Sequence, residues 1–217
     1  MKVTVQIPAL NEGKSIAQTV ARIPRDCVDE ILVIDGHSKD NTVEAARAAG
    51  CRVLSQPGKG FGDAQLHGFH NATGDVIIIM DADGSPDPQD IPRLLAKLNE
   101  GYDLVLGSRY LPGATTDDDT LIRYIGNKFF TFFTNLRFGM KLSDSLYFFA
   151  AARKDTLNSL NIKSRDFALC IEVPVRVHQL GKKIGEIVCH EGARYADKSR
   201  VNAFTDGFRI LWQMLWW

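Results

Sequence analysis

Two carboxylates one residue apart, Asp81 and Asp83, follow directly on an apolar run from Val76 to Met80 and precede the break Gly84-Ser85-Pro86. Such a run suits a strand buried within a parallel sheet, and ligands of open α/β sheets gather beyond the carboxyl ends of the strands. On extended backbone, residues i and i+2 point the same way, so both carboxylates can converge on one hard cation, Mg²⁺ or Mn²⁺. Asp83 is the first candidate ligand, and Asp81 either shares the ion or bonds a ribose. Asp35, at another strand end, suits a base or ribose. Arg109, reached through Gly107-Ser108, is either a bidentate phosphate ligand or a solvated arginine beyond a strand. Lys59, within Gly58-Lys59-Gly60-Phe61-Gly62, offers a cation and backbone N–H groups to a phosphate, unless the glycines only make a turn. The spacing matches neither a Walker A loop nor G-x-G-x-x-G. Carboxylates with a divalent ion, flanked by cations, suit the departure of a nucleoside diphosphate from a sugar, where negative charge must be neutralised as it develops.

The elements that must position these residues read as alternating strands and helices. Strands are predicted around Val3 to Ile7, Glu30 to Ile34, Cys51 to Leu54, Val76 to Met80 and Leu104 to Leu106. Helices are predicted from about Gly13 to Arg22, Asp40 to Ala49, Phe61 to Ala72 and Pro88 to Leu98, the last with Leu94, Leu95 and Leu98 inward. Short connections between them predict an α/β, doubly wound, mostly parallel sheet that offers Asn11, Asp35, Asp81, Asp83 and Arg109 to one rim.

Lysine plus arginine and aspartate plus glutamate each number 26 in 217 residues, so no global field draws the chain to nucleic acid. Cys27, Cys51, Cys170 and Cys189 show no C-x-x-C spacing, which argues against a zinc site and suits a reducing compartment. The N-terminus enters a strand at once, so no signal peptide is expected, and no apolar stretch is long enough for a transmembrane span.

Past the acidic loop Asp117-Asp118-Asp119, a helix predicted over 121–138 carries Tyr124, Phe129, Phe130, Phe132, Phe133 and Phe138, with Arg123, Lys128, Arg137 and Lys141 as cations. Buried core and an interfacial helix both fit this composition. A strand is predicted from Leu146 to Ala152, a helix from Asp166 to Gln179 and a strand from Lys183 to Cys189. Arg194, Lys198 and Arg200 share one cationic loop. The end, 202–217, reads as an amphipathic helix holding every tryptophan, a composition that marks a membrane or partner surface. His67 and His70, three residues apart on a helix, have no third metal ligand nearby in the sequence and read as surface or half-buried histidines.

The segments I-P-A-L-N-E at Ile7, I-D-G-H-S-K-D-N-T at Ile34, G-K-G-F-G-D-A at Gly58, G-D-V-I-I-I-M-D-A-D-G-S at Gly74 and G-S-R-Y at Gly107 together resemble the family 2 inverting glycosyltransferases of GT-A fold. The dolichol-phosphate mannose synthase type, which glycosylates a polyprenyl phosphate, is most similar. Arg123 and Asn127, the run Asp144 to Phe149 and the stretch Glu186 to Arg200 extend the match over nearly the whole chain. The resemblance implies a Rossmann-like GT-A catalytic domain over 1–201, its doubly wound sheet mixed but mostly parallel and flanked by helices, followed by the terminal helix. By it, Pro8, Ala9, Glu12 and Asp35 hold the nucleoside, Asp81 and Asp83 the ribose and metal, Arg194 and Arg200 the diphosphate, and Arg109 and Arg123 the acceptor phosphate. Gly36-His37 stands where Asp-Gly is usual, Ser85 where mannose synthases often carry Gln, Asp197 in place of a loop glycine, and Arg200 where Lys is usual.

The expected reaction is a metal-dependent single inverting displacement from a GDP- or UDP-sugar, with peripheral contact through 121–138 and 203–217 on the cytoplasmic face of a membrane. A soluble, polysaccharide or natural-product acceptor is the alternative. A sugar-1-phosphate nucleotidyltransferase would need a Gly-rich basic N-terminal loop, absent at Ile7 to Lys14, and a non-catalytic membrane scaffold would not bind nucleotide.

Overall fold

Strands buried on both faces, their alternate residues entering two cores, and the helices between them build the first half of the chain. The computed structural model describes residues 1–196 and 205–217. Its first elements are β1 (Val3–Ala9), α1 (Ile16–Ala21), β2 (Glu30–Asp35), α2 (Thr42–Ala48), β3 (Arg52–Ser55), α3 (Phe61–Asn71), β4 (Val76–Ile79), α4 (Ile91–Asn99) and β5 (Leu104–Ser108). They are followed by β6 (Thr115–Thr116), α5 (Leu121–Phe138), β7 (Ala150–Arg153), α6 (Lys154–Ser159), α7 (Leu169–Gln179), β8 (Ile184–Val188), β9 (His190–Glu191) and α8 (Thr205–Met214).

The central sheet has seven strands in the order β3-β2-β1-β4-β7-β5-β8. β1, β2, β3 and β4 pair in parallel, as do β5 and β8, whereas β7 runs antiparallel between β4 and β5. The doubly wound, mostly parallel sheet is therefore mixed at one place. The strand expected from Leu146 occupies Ala150–Arg153, and Tyr147, Phe148 and Phe149 lead into it as buried irregular chain. Helix α7 likewise starts at Leu169 rather than at Asp166.

The two faces of β4 hold the sheet in place. Ile77 and Ile79 enter a core with Phe69 of α3 and Ile171, Val173 and Val175 of α7. Val76, Ile78 and Met80 enter a second core with Ile16 and Val20 of α1 and Ile91, Leu94 and Leu98 of α4. Burying each such side chain contributes about 1.5–3 kcal/mol, so the run anchors the strand whose end carries Asp81. Met80 still donates its N–H to the Gln6 carbonyl at 3.1 Å, and Asp81 is the first residue beyond the ladder.

Both readings of the aromatic helix hold, on different faces of α5. Phe130, Phe133 and Phe138 pack against the core, while Leu121, Ile122, Ile125, Phe129, Phe132 and Leu136 form an exposed stripe. Helix α8 docks through buried Ile210 and Met214, and Gln213 donates to Asp166 at 2.9 Å and accepts from Ser164 at 2.8 Å. Its other face exposes Phe208, Trp212, Leu215 and Trp216. Arg137 of α5 donates to the Leu215 carbonyl at 3.4 Å, so α5 meets the segment that follows α8. Among the described residues no helix is long and apolar enough to cross a membrane. All four cysteines are free.

Candidate active site

A cleft of about 520 Å³ opens beyond the carboxyl ends of β1, β2 and β4. It brings together Pro8, Ala9, Glu12, Lys59, Asp81, Asp83 and Arg194 from four separate segments of the sequence. Asp35, Arg109 and Arg123 do not line it. Arg200 lies outside the described residues, as do Asp197, Lys198 and Ser199.

The carboxylate pair sits at the cleft floor. Asp83 accepts from the backbone N–H of Ser85 at 3.0 Å and from its hydroxyl at 2.9 Å, so Ser85 orients Asp83. The other Asp83 oxygen pairs with the Arg194 guanidinium. Burial pushes the Asp81 carboxyl up to about 7, and the Asp83 carboxylate adds to the shift; Arg194 opposes it, and Glu191 and Glu12 contribute further. Crowded carboxylates of this kind call for a cation, and Arg194 supplies one. The segment carrying Arg194 is tied across the Asp83-Gly84-Ser85 turn, with Gly192 donating to the Ser85 carbonyl at 2.8 Å and Tyr195 to the Asp83 carbonyl at 3.0 Å. Arg22 secures it from outside, donating to the Tyr195 hydroxyl at 2.8 Å.

At the other end of the cleft, the loops after β1 and β2 interlock. Asn11 donates its N–H to the Ser38 hydroxyl at 2.8 Å and accepts the Lys39 N–H at 2.7 Å, while the Glu12 N–H donates to Thr42 at 2.7 Å. Asn11 at φ 50° and His37 at φ 66° adopt left-handed backbone without being glycine, a strain of order 1–3 kcal/mol that clusters at binding sites. Asp35, expected to face the nucleoside, turns into this loop: it is buried and accepts from the N–H groups of His37 at 3.1 Å and Ser38 at 3.2 Å. Its part is to shape the wall that Gly36 and His37 present to the cleft.

The glycine loop differs from its expected use as an amide cradle. The Gly58 N–H is taken by Asp63 at 2.9 Å and the Gly62 N–H by the Arg165 carbonyl at 3.0 Å. Gly60, at φ 97°, could not carry a Cβ, which would lie 2.5 Å from the Arg165 oxygen. The glycines thus admit the 165–167 backbone against α3, and Lys59 alone of the loop's charged groups faces the cleft. Phe61 and Phe167, stacked at 4.7 Å between ring centroids, line it as well. Phe167 and Gln56 are lining residues that the sequence reading missed, and Gly36-His37, noted there as a departure from the usual Asp-Gly, lines the cleft as well. Only Gly36-His37, at a strand end, carried a signal.

Arg109 requires the largest correction. Expected at the rim as a phosphate ligand, it is 9% exposed and spends its guanidinium on two carboxylates. It donates to both oxygens of Asp144, at 2.8 and 3.1 Å, and to Glu191 at 3.2 Å. Burial opposes its charge, but Asp144 and Glu191 outweigh burial and push its pKa up. The cause lies in chain connection: β7 and β9 bring Asp144 and Glu191 to the end of β5. Arg123 lies one carboxylate beyond the cleft. Asp118 accepts from Arg123 at 2.8 Å and from Arg194 at 3.1 Å, joining the cation over Asp83 to the first turn of α5.

The sequence profile described as Glycosyl transferase family 2 matches residues 4–160. An uncharacterized glycosyltransferase of Mycobacterium bovis is 32% identical over 205 residues, covering 94% of this chain and 92% of its own. The undecaprenyl-phosphate mannosyltransferase of Micrococcus luteus is 33% identical, over 86% of this chain and 82% of its own. The dolichol-phosphate mannosyltransferase of Pyrococcus furiosus is 27% identical over all of this chain, 100%, and 64% of its own. Among solved structures, glucosyl-3-phosphoglycerate synthase from Mycobacterium tuberculosis, in complex with Mn²⁺, uridine diphosphate and glucosyl-3-phosphoglycerate, is similar with a TM-score of 0.79 at 24% identity. That match covers 99% of this chain and 78% of the synthase.

Proposed function

Because this chain belongs to glycosyl transferase family 2 and is a glycosyltransferase, we propose that it moves a sugar from a GDP- or UDP-sugar to a polyprenyl phosphate at a membrane surface. One observation carries the choice of acceptor. Helices α5 and α8 each expose an apolar face, the segment after α8 is bound to α5 through Arg137, and the α5 stripe begins at the turn bearing Arg123, next to the donor cleft. An acceptor with a long apolar tail and an anionic head matches that adjacency; a soluble acceptor would leave the apolar face unused. The Micrococcus and Pyrococcus relatives, named for undecaprenyl phosphate and dolichol phosphate, support the reading. Free thiols suit a peripheral position on the cytoplasmic face.

In this reading Pro8, Ala9 and Glu12 hold the nucleoside, with Asp35 behind them, while Lys59, Arg194 and Arg200 take the diphosphate. Asp81 and Asp83 would hold Mg²⁺ or Mn²⁺. The donor set fits: both carboxylates line the same cleft, and two carboxylates leave positions on the ion for phosphate oxygens and water. When bound, such an ion supplies positive charge against the departing diphosphate. Arg194, freed from Asp83, turns to the diphosphate, while Asp118 keeps Arg123 toward the acceptor. An acceptor phosphate oxygen then attacks the anomeric carbon as its bond to the donor phosphate oxygen breaks, and the electron pair leaves with the nucleoside diphosphate. A phosphate monoester, with a second pKa near ~6, is already an anion at neutral pH, so no general base is needed. Arg109 serves this site from behind, by fixing Asp144 and Glu191.

Replacing Trp212 and Trp216 together by serine is expected to weaken binding to vesicles with anionic lipid by about tenfold or more. Because both indoles are exposed, the melting temperature should not move. Unchanged co-sedimentation with vesicles would remove the membrane from this account.

A further inference from the structure

Arg194 reaches the carboxylate pair from a strap, residues 191–196, whose two sides are anchored unequally. On the side before Arg194 the anchor lies in the interior: Glu191 bridges to Pro86 and accepts from Arg109 at 3.2 Å and from Thr116 at 2.7 Å. Its carbonyl takes the Asp117 N–H at 2.8 Å. On the side after Arg194, among the described residues, the anchor is Tyr195. Besides the N–H bond to Asp83 and the hydroxyl bond from Arg22, its ring lies over Gly84, where a Cβ would stand 2.3 Å from the ring carbons. Gly84 also adopts φ 84°, so both the turn and the ring require a residue without a side chain there. Arg22 is fixed in turn. Its other terminal nitrogen donates to Asp87 at 2.9 Å, and its carbonyl accepts from the Gln89 side chain at 3.0 Å, both just before α4.

A guanidinium is planar, so the bond to Asp87 sets the direction in which Arg22 offers its remaining N–H groups to Tyr195. Arg22, Asp87 and Tyr195 do not line the cleft, whereas Arg194 and Ala196, on either side of Tyr195, do. Whatever this trio does for the cleft passes through the strap. With the backbone held at Gly192 and Tyr195, the part of Arg194 left to move is its side chain, which already spans Asp83 and Asp118. A diphosphate in the cleft offers the same guanidinium fork two oxygens, and a group held in place beforehand costs less ordering on binding. The bond from Arg22 to Tyr195 ties that seat to the end of α1 and the foot of α4.

We propose that Arg22 and Tyr195 are positioning residues for the donor: their hydrogen bond pins the strap on the Gly84 turn and so holds Arg194 where it grips the diphosphate of the nucleotide sugar. The proposal rests on the reading of Arg194 as a diphosphate ligand, and Arg194→Met tests that reading in the same experiment. Isothermal titration of the whole protein with uridine diphosphate and guanosine diphosphate, each with Mn²⁺, is run on Arg22→Met, Tyr195→Phe and the double variant. Each single variant is expected to bind the nucleotide that wild type prefers about fivefold more weakly. The double variant should match the singles, because both changes remove one bond. Affinity for the matching nucleoside, which lacks phosphates, stays at the wild-type value. The melting temperature stays within about 3 °C, because the Arg22–Asp87 pair lies at the surface. Wild-type nucleotide affinity in both single variants, with weakened binding in Arg194→Met, would overturn the proposal and leave Arg194 on the diphosphate. Nucleoside and nucleotide affinity lost together would overturn it as well, since the bond would then shape the whole cleft. Wild-type affinity in Arg194→Met would remove the reading beneath the proposal, and the proposal with it.

Discussion

Arg109→Met is expected to lower the unfolding free energy by about 3–5 kcal/mol, because it strands Asp144 and Glu191 as buried, unpaired carboxylates. Their side chains are 0% and 7% exposed, and the arginine is the only cation ion-paired with either among the described residues. Asp144 has other work that depends on its position: it accepts from the N–H groups of Leu146 and Tyr147 at 3.2 and 3.3 Å, fixing the entry to β7. Glu191 also accepts from Thr116 at 2.7 Å, holding the short β6 and β9 pair above the acidic loop. For a domain of this size the loss corresponds to a fall in melting temperature of about 10 °C. Thermal unfolding followed by circular dichroism checks it. A role at the surface predicts the reverse pattern, an unchanged melting temperature with a raised acceptor KM, and that pattern would return Arg109 to the acceptor site.

Asp83→Ala should lower kcat/KM for sugar transfer by on the order of 10³-fold while leaving the fold intact. One carboxylate does two jobs here: it would hold the divalent ion, and it already holds Arg194 over the cleft. The fold should survive because Arg194 keeps Asp118 as a partner and because Gly192 and Tyr195 still bind the backbone of the 83–85 turn. The informative measurement pairs kinetics with the thermal shift produced by Mn²⁺ and uridine or guanosine diphosphate. Loss of both the shift and the activity is expected. Activity near wild type would deny Asp83 its place at the metal.

The features that could be read from the sequence were those carried by neighbours along the chain. An unbroken apolar run ending in Asp81 and Asp83 is a local pattern, and so is the alternation of strand and helix up to β5, which the structure reproduces within a few residues. What escaped was set by distant partners. Arg109 reads as a rim arginine because Asp144 and Glu191 stand 35 and 82 residues further on, the first brought back by the strand that inserts antiparallel between β4 and β5 and the second by β9. The glycines from Gly58 to Gly62 read as a phosphate loop because the backbone they accommodate, at Arg165, is equally remote. Helix α5 was ambiguous for a different reason. Its period was plain, but both stripes are apolar, and only the packing of Phe130 and Phe133 shows which one faces the core. Asp118 gave no signal beyond membership of an acidic run, yet it joins Arg194 to Arg123.

The most direct test of the acceptor is a competition for labelled sugar in one reaction mixture. Purified protein is given Mn²⁺ with GDP-mannose, UDP-glucose or another labelled nucleotide sugar, and equal concentrations of a polyprenyl phosphate and 3-phosphoglycerate. Label extracted into organic solvent, in an alkali-stable, acid-labile polyprenyl phosphate ester that depends on Mn²⁺, is the predicted result. Label found instead in a water-soluble glycosyl-phosphoglycerate would contradict the account.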